Sequence, residues 1–123
     1  MWARYLLSED SLTLVVEHEG MKEPVRFEDL WFSQKFNLIT EEEIEAIDRA
    51  FDDLLTAILR KFSKYYKARA YVASIEFTNK KGKFAIDLNA KSIYFTGLPE
   101  KAKKEMTDLI LNCVNNELLI KGD

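Results

Sequence analysis

The chain has 123 residues, 47% of them hydrophobic and 32% charged, and a net charge of −3. That length makes a single domain with a sizeable core, and two prolines and four glycines leave little material for linkers or disorder. No apolar run approaches the roughly 20 residues of a membrane helix, the start MWARYLLSED lacks the apolar region of a secretory leader, and the single cysteine, Cys113, excludes an internal disulfide. The expectation is a cytoplasmic α+β protein without a membrane segment.

The small net charge hides a division. Residues 1–59 carry fourteen acids against five bases, a balance of −9, whereas residues 60–123 carry thirteen bases against seven acids, a balance of +6. Such asymmetry argues for an electrostatic partner.

In chain order, Trp2–Leu7 and Leu12–His18 flank the polar link Ser8-Glu9-Asp10-Ser11 and read as a hairpin. Pairing Leu7 with Leu12 puts Ala3, Tyr5, Leu14 and Val16 on one face. Trp2, Arg4, Leu6, Thr13, Val15 and Glu17 then share the other, which is only half polar. Val25–Phe27 is a third strand candidate after Pro24, and the segment FEDLWFSQKF fits a short helix and an irregular plug equally well.

Thr40–Lys67 reads as one helix. Ile44, Ile47, Phe51, Leu54, Leu55, Ile58, Leu59, Phe62 and Tyr65 recur at spacings of three and four, wide enough for a core face. Thr40 and Glu43 have the spacing of a capping box. Acids at 41–45 and lysines at 61, 64 and 67 match the helix dipole.

Beyond the helix, Ala70–Thr78 alternates as one strand through Tyr71, Ala73, Ile75 and Phe77. Asn79-Lys80-Lys81-Gly82 is a turn, and Lys83–Asn89 and Ser92–Thr96 are two further strands. Matching apolar faces pairs Phe77 with Phe84, Ile75 with Ile86 and Leu88 with Ile93, which sets Asp87 opposite Ser74 and Tyr94 on the polar face with Glu76 diagonal to it. After Gly97-Leu98-Pro99 a second helix runs to about Leu118 through Ala102, Met106, Leu109, Ile110, Cys113 and Val114. The expected fold is a mostly antiparallel sheet, an N-terminal hairpin plus a three-stranded meander, with both helices on one face as a two-layer sandwich. Strands followed by a helix, twice over, is an order similar to that of the single-strand-binding domains of the PUR and Whirly kind. That resemblance implies a binder of single-stranded nucleic acid.

The residue types for catalysis are thin. His18 sits alone between two glutamates, Cys113 lies on an apolar stripe, and no Gly-rich phosphate loop or metal-ligand spacing is present, so no cofactor or metal is expected. Glu76, Asp87 and Tyr94 share an open sheet face, which is too shallow to perturb them as an active site would.

Charge layout carries more. On the long helix Glu41, Glu45, Asp48 and Asp52 line one stripe that continues to Arg60, Lys64 and Lys67, acidic at its start and basic at its end. Such a stripe is self-complementary in an antiparallel pair. With Trp2, Leu6 and Val15 as apolar contacts, it points to a non-catalytic protein-binding module that forms a homodimer or takes a protein partner. The alternative is a nucleic-acid binder using Lys80, Lys81, Lys83, Lys101, Lys103 and Lys104. A further alternative has the acidic half imitating nucleic acid in another protein's basic cleft.

Overall fold

The computed structural model describes residues 2–18, 20–30 and 39–115. Strands β1 (Trp2–Leu7) and β2 (Ser11–Glu17) pair in the expected register, with Leu7 opposite Leu12 and Tyr5 opposite Leu14. Strand β3 is only Val25–Arg26 and lies against Val16 and Val15 of β2. Phe27, expected to end that strand, opens a 3-10 turn through Asp29, held where Arg26 Nε donates to Asp29 Oδ2 at 2.9 Å. Trp31–Leu38, most of the ambiguous segment, lies outside the described residues.

Helix α1 spans Glu41–Phe62, and its capping box is present as the sequence writes it. The Glu43 N–H donates to Thr40 Oγ1 at 3.1 Å, and the Thr40 N–H donates to Glu43 Oε1 at 2.9 Å. Burial pushes the Glu43 carboxyl up, but hydrogen bonds from the Thr40 N–H and hydroxyl together outweigh it and hold the carboxyl below its ordinary value. The box is therefore at full strength above the ordinary carboxylate range and weakens as the pH falls through it.

The helix ends a turn and a half earlier than expected. The Ser63 hydroxyl donates to the Leu59 carbonyl, and the Tyr65 and Tyr66 N–H groups both reach back to the Phe62 carbonyl. This tight wind shifts the side-chain register, so Tyr66 is buried and Tyr65, expected in the core stripe, is 74% exposed.

The strand expected over 70–78 is two strands. Strand β4 (Lys67–Ala70) turns at Tyr71 into β5 (Ser74–Asn79), closed where the Tyr71 N–H donates to the Ser74 carbonyl at 2.7 Å. Strand β6 (Gly82–Asp87) pairs with β5 as expected, Phe77 with Phe84 and Ile75 with Ile86. The next register differs by two residues: on β7 (Ser92–Thr96) Ile93 meets Ile86 rather than Leu88. The cause is Asp87, whose Oδ1 accepts from the Asn89 and Ala90 N–H groups at 2.9 Å and starts the turn early. Lys91 completes that turn at φ 56°. Asp87 therefore faces Ser92, and Tyr94 faces Ala85, with Glu76 on that residue's other side.

The strands form one antiparallel sheet in the order β1-β2-β7-β6-β5-β4, with β3 sharing the β2 edge that β7 occupies further along. Four strands, not three, lie between the helices, which breaks the repeated element order read from sequence. Helix α2 (Glu100–Asn115) completes the described chain, and the continuation to Leu118 lies outside it. Both helices pack on one face: Ile47, Phe51, Leu54, Ile58 and Phe62 of α1 and Met106 and Ile110 of α2 share one core with Leu12, Leu14, Phe77, Phe84 and Ile93. No helix covers the other face among the described residues, as expected of an α+β two-layer fold. It is exposed around Thr78, Lys83 and Thr96, and β3 with the 3-10 turn lies beside Val15, which is buried.

Lys91 ties these layers together. Its Nζ lies 3.1 Å from Asp48 Oδ1 and 4.7 Å from the centre of the Phe51 ring, while its carbonyl accepts the Tyr5 hydroxyl at 2.7 Å. Burial pushes the Tyr5 phenol far up, so it stays a neutral donor through the ordinary pH range. Phe51→Ala removes both core packing and the ring under the ammonium, and should cost about 3–5 kcal/mol. Chemical denaturation measures it; a loss under about 1 kcal/mol is surface-like and would remove the stripe from the core.

A candidate nucleic-acid interface

A cleft forms beside the early helix end. Phe62 and Tyr66, four residues apart, both set their edges on Phe84, at 5.4 and 5.5 Å between ring centres. They floor a cleft of roughly 690 Å3. Lys61 at the end of α1, Lys80 and Lys81 at the β5–β6 turn, and Lys101 on α2 surround it, with Glu105 the single acid in the lining. Exposed Tyr65 stands on the rim.

The rim is braced by backbone-level bonds. Asn79 Oδ1 accepts from the Lys81 and Gly82 N–H groups at 2.8 and 3.2 Å, which fixes the two-lysine tip. Asn79 Nδ2 donates to the Tyr65 carbonyl at 3.3 Å, joining that tip to the end of the helix. A Cβ added at Gly82 would stand 2.4 Å from the Gly97 carbonyl oxygen, so only glycine lets β6 start this close to the loop before α2. Among the described lining residues, four ammonium groups face one carboxylate around buried Phe62 and Tyr66, and Tyr65 is the exposed ring at the rim, a local excess of positive charge beside an aromatic face.

The six lysines proposed from sequence do not act together. Lys80, Lys81 and Lys101 converge on the cleft. Lys83 lies on the open sheet face between Thr78 and Thr96. Lys103 points to the hairpin, donating to the Glu9 carbonyl at 2.8 Å and lying 3.4 Å from Glu100 Oε1, and Lys104 pairs with Asp108 at 3.3 Å. Those two border a smaller hollow of roughly 330 Å3, where their charge is already matched. The sequence does not mark Lys61 and Tyr65 as lining residues, because a helical reading gives one to the dipole end and the other to the core stripe.

The bipolar stripe is only partly assembled. Glu41, Glu45, Asp52 and Arg60 are exposed on α1, but Asp48 is paired with Lys91, Lys64 follows the helix end, and Lys67 belongs to β4. Of its proposed apolar companions, Leu6 is 45% exposed, Val15 is buried at 5%, and the Trp2 side chain lies outside the described residues. Among the described residues no group of three His, Cys, Asp or Glu converges on a point, and no helix is long and apolar enough to cross a membrane. His18 Nδ1 accepts the Gly20 N–H at 3.4 Å, and the Cys113 side chain lies outside the described residues.

No protein family, characterised relative or solved structure matches this chain.

On the open face Tyr94 is the group most affected by its neighbours. Partial burial raises its phenol first, the carboxylates of Glu28 and Asp87 add to this, and Arg26 opposes them. Because Glu28 disfavours the tyrosinate, Glu28→Gln should lower the Tyr94 titration midpoint in an NMR titration of labelled tyrosines. An unchanged or higher midpoint would mean the 3-10 turn does not lie beside this face.

Proposed function

We propose that this protein is a non-catalytic binding module that takes a segment of single-stranded nucleic acid in the cleft between α1, α2 and the β5–β6 turn. The observation that carries this reading is the convergence of Lys61, Lys80, Lys81 and Lys101 around exposed Tyr65. Lysines neutralise phosphates and release their counterions, and a tyrosine face stacks any base without selecting among them. Base-edge discrimination calls for planar, bidentate side chains. Among the described lining residues there is no arginine, and the Asn79 amide is engaged by Tyr65, Lys81 and Gly82, so binding is sequence-tolerant.

The overall charge of −3 works against non-specific adhesion elsewhere on the surface. The acidic N-terminal half repels a polyanion, and the basic cleft then stands out by contrast. Self-association through the α1 stripe is less well supported, since Asp48 is committed to Lys91 and the stripe's two last lysines lie beyond the helix.

Fluorescence anisotropy with a labelled oligothymidine tests the reading. Affinity should be micromolar near physiological salt, the range of sequence-independent contacts. With three or four phosphates neutralised, log K should fall against log salt with a slope of about −2 to −3. Lys80→Glu with Lys81→Glu should flatten that slope by about 1 to 2. Tyr65→Ala should leave the slope unchanged and cost about 1–3 kcal/mol of stacking. Absence of saturation at low salt, or equal loss from Lys103→Glu with Lys104→Glu, would overturn the assignment.

A further inference from the structure

Among the described residues, strand β4 is the outermost strand on its side of the sheet, and all four of its residues are exposed. In the antiparallel ladder with β5, Lys67 lies opposite Thr78 and Arg69 opposite Glu76. The Tyr71–Ser74 bond that closes this hairpin sets the alternation, so Lys67 and Arg69 exchange backbone bonds with β5. The N–H and C=O groups of Ala68 and Ala70 therefore point away from the sheet. Their side chains are no larger than a methyl and leave that edge open. Exposed edges of this kind are templates for another strand.

What the edge would accept is set by its charge and its borders. Lys67 and Arg69 project from the open face, where an incoming strand would lay every second side chain beside them. On the other face lie the alanine methyls, and at the end of the strand stand Tyr71 and Val72, 50% and 103% exposed. A second copy of this chain fits poorly in the registers that use both alanines. Centred on Ala68, antiparallel pairing sets Lys67 directly opposite Arg69 of the second copy, twice over. Centred on Arg69, it sets that residue opposite its own copy, and like charges directly opposite are destabilising.

We infer that the β4 edge is a docking site for an extended acidic peptide, one that alternates carboxylate and apolar side chains and adds to the sheet as an eighth strand. Carboxylates alternate onto the face of Lys67 and Arg69, and apolar side chains fall on the face of Ala68 and Ala70. Affinity comes from backbone hydrogen bonds to Ala68 and Ala70, and selectivity from the two bases. This surface is separate from the lysine cleft, and neither reading depends on the other.

The test uses a fluorescein-labelled synthetic peptide alternating glutamate and valine, titrated with the whole protein by anisotropy. Binding should saturate, and a matched peptide alternating lysine and valine should not bind. Lys67→Glu with Arg69→Glu should weaken binding at least tenfold. Ala68→Pro removes one outward N–H without touching the β4–β5 ladder, and it too should weaken binding at least tenfold. Lys80→Glu with Lys81→Glu should change it less than twofold. If Ala68→Pro disturbs folding by circular dichroism, N-methylating alternate residues of the peptide asks the same question of the wild type, and one of the two methylation frames should abolish binding. No saturation, wild-type affinity in Ala68→Pro and in both methylation frames, or loss of binding only in the cleft variant would each overturn the proposal. So would a wild-type dimer in light scattering that Ala68→Pro converts to monomer, because the edge would then pair with its own copy.

Discussion

Phe84 receives three aromatic neighbours, and much of the molecule's surface chemistry follows from that packing. Phe77 stacks on it at 4.5 Å across the β5–β6 ladder, and Phe62 and Tyr66 set their edges on it from the end of α1. Pairs of this kind add about 0.5–1.5 kcal/mol each beyond the area they bury. Phe62 and Tyr66 are four residues apart and the Tyr66 N–H still donates to the Phe62 carbonyl at 2.8 Å, so both rings keep one face and reach the same neighbour. Past Phe62 the helix ends at Ser63, Tyr65 stands outward and the chain enters the sheet at Lys67. The cleft floor, the rim tyrosine and the exposed edge of β4 lie within these few residues.

Lys91 does the corresponding work at the other end of the sheet. Its ammonium lies over Phe51 and near Phe27, its charge meets Asp48, and its carbonyl accepts from Tyr5. A largely buried ammonium is tolerable only with such company, since leaving it unpaired would carry the desolvation cost of a buried charge. This contact fixes the middle of α1 against the β6–β7 turn. Charge that looked available for a partner is here part of the internal framework.

The sequence reveals those features that a local pattern determines. Alternation over Ser74–Ile86 and the polar link at Ser8 set two hairpin registers correctly, and Thr40 with Glu43 marks the helix start. Side-chain competition for the backbone was harder to see. Asp87 could continue the strand or cap a turn, and its two backbone bonds decide for the turn and move β7 by two residues. The end of α1 was illegible for a different reason. Tyr65 and Tyr66 both satisfy a helical period, and only Phe84, some twenty residues away in sequence, selects which of them is buried. Of the cleft, three lysines were visible as a cluster of charge, but their convergence with Lys61 and Tyr65 depended on that selection. Val15 shows the same limit, since β3 and the 3-10 turn bury a residue whose strand face alone marks it as exposed.

The cleft is the centre of the functional account, and residue-resolved mapping tests it most directly. In a titration of the 15N-labelled protein with an oligothymidine, amide shifts should concentrate at Lys61, Tyr65, Lys80–Gly82 and Lys101–Ala102, and the residues of the open sheet face around Ala85 and Tyr94 should stay still. Shifts centred on the open face, or on Lys103 and Lys104 by the hairpin, would contradict the account and move the binding surface to another side of the molecule.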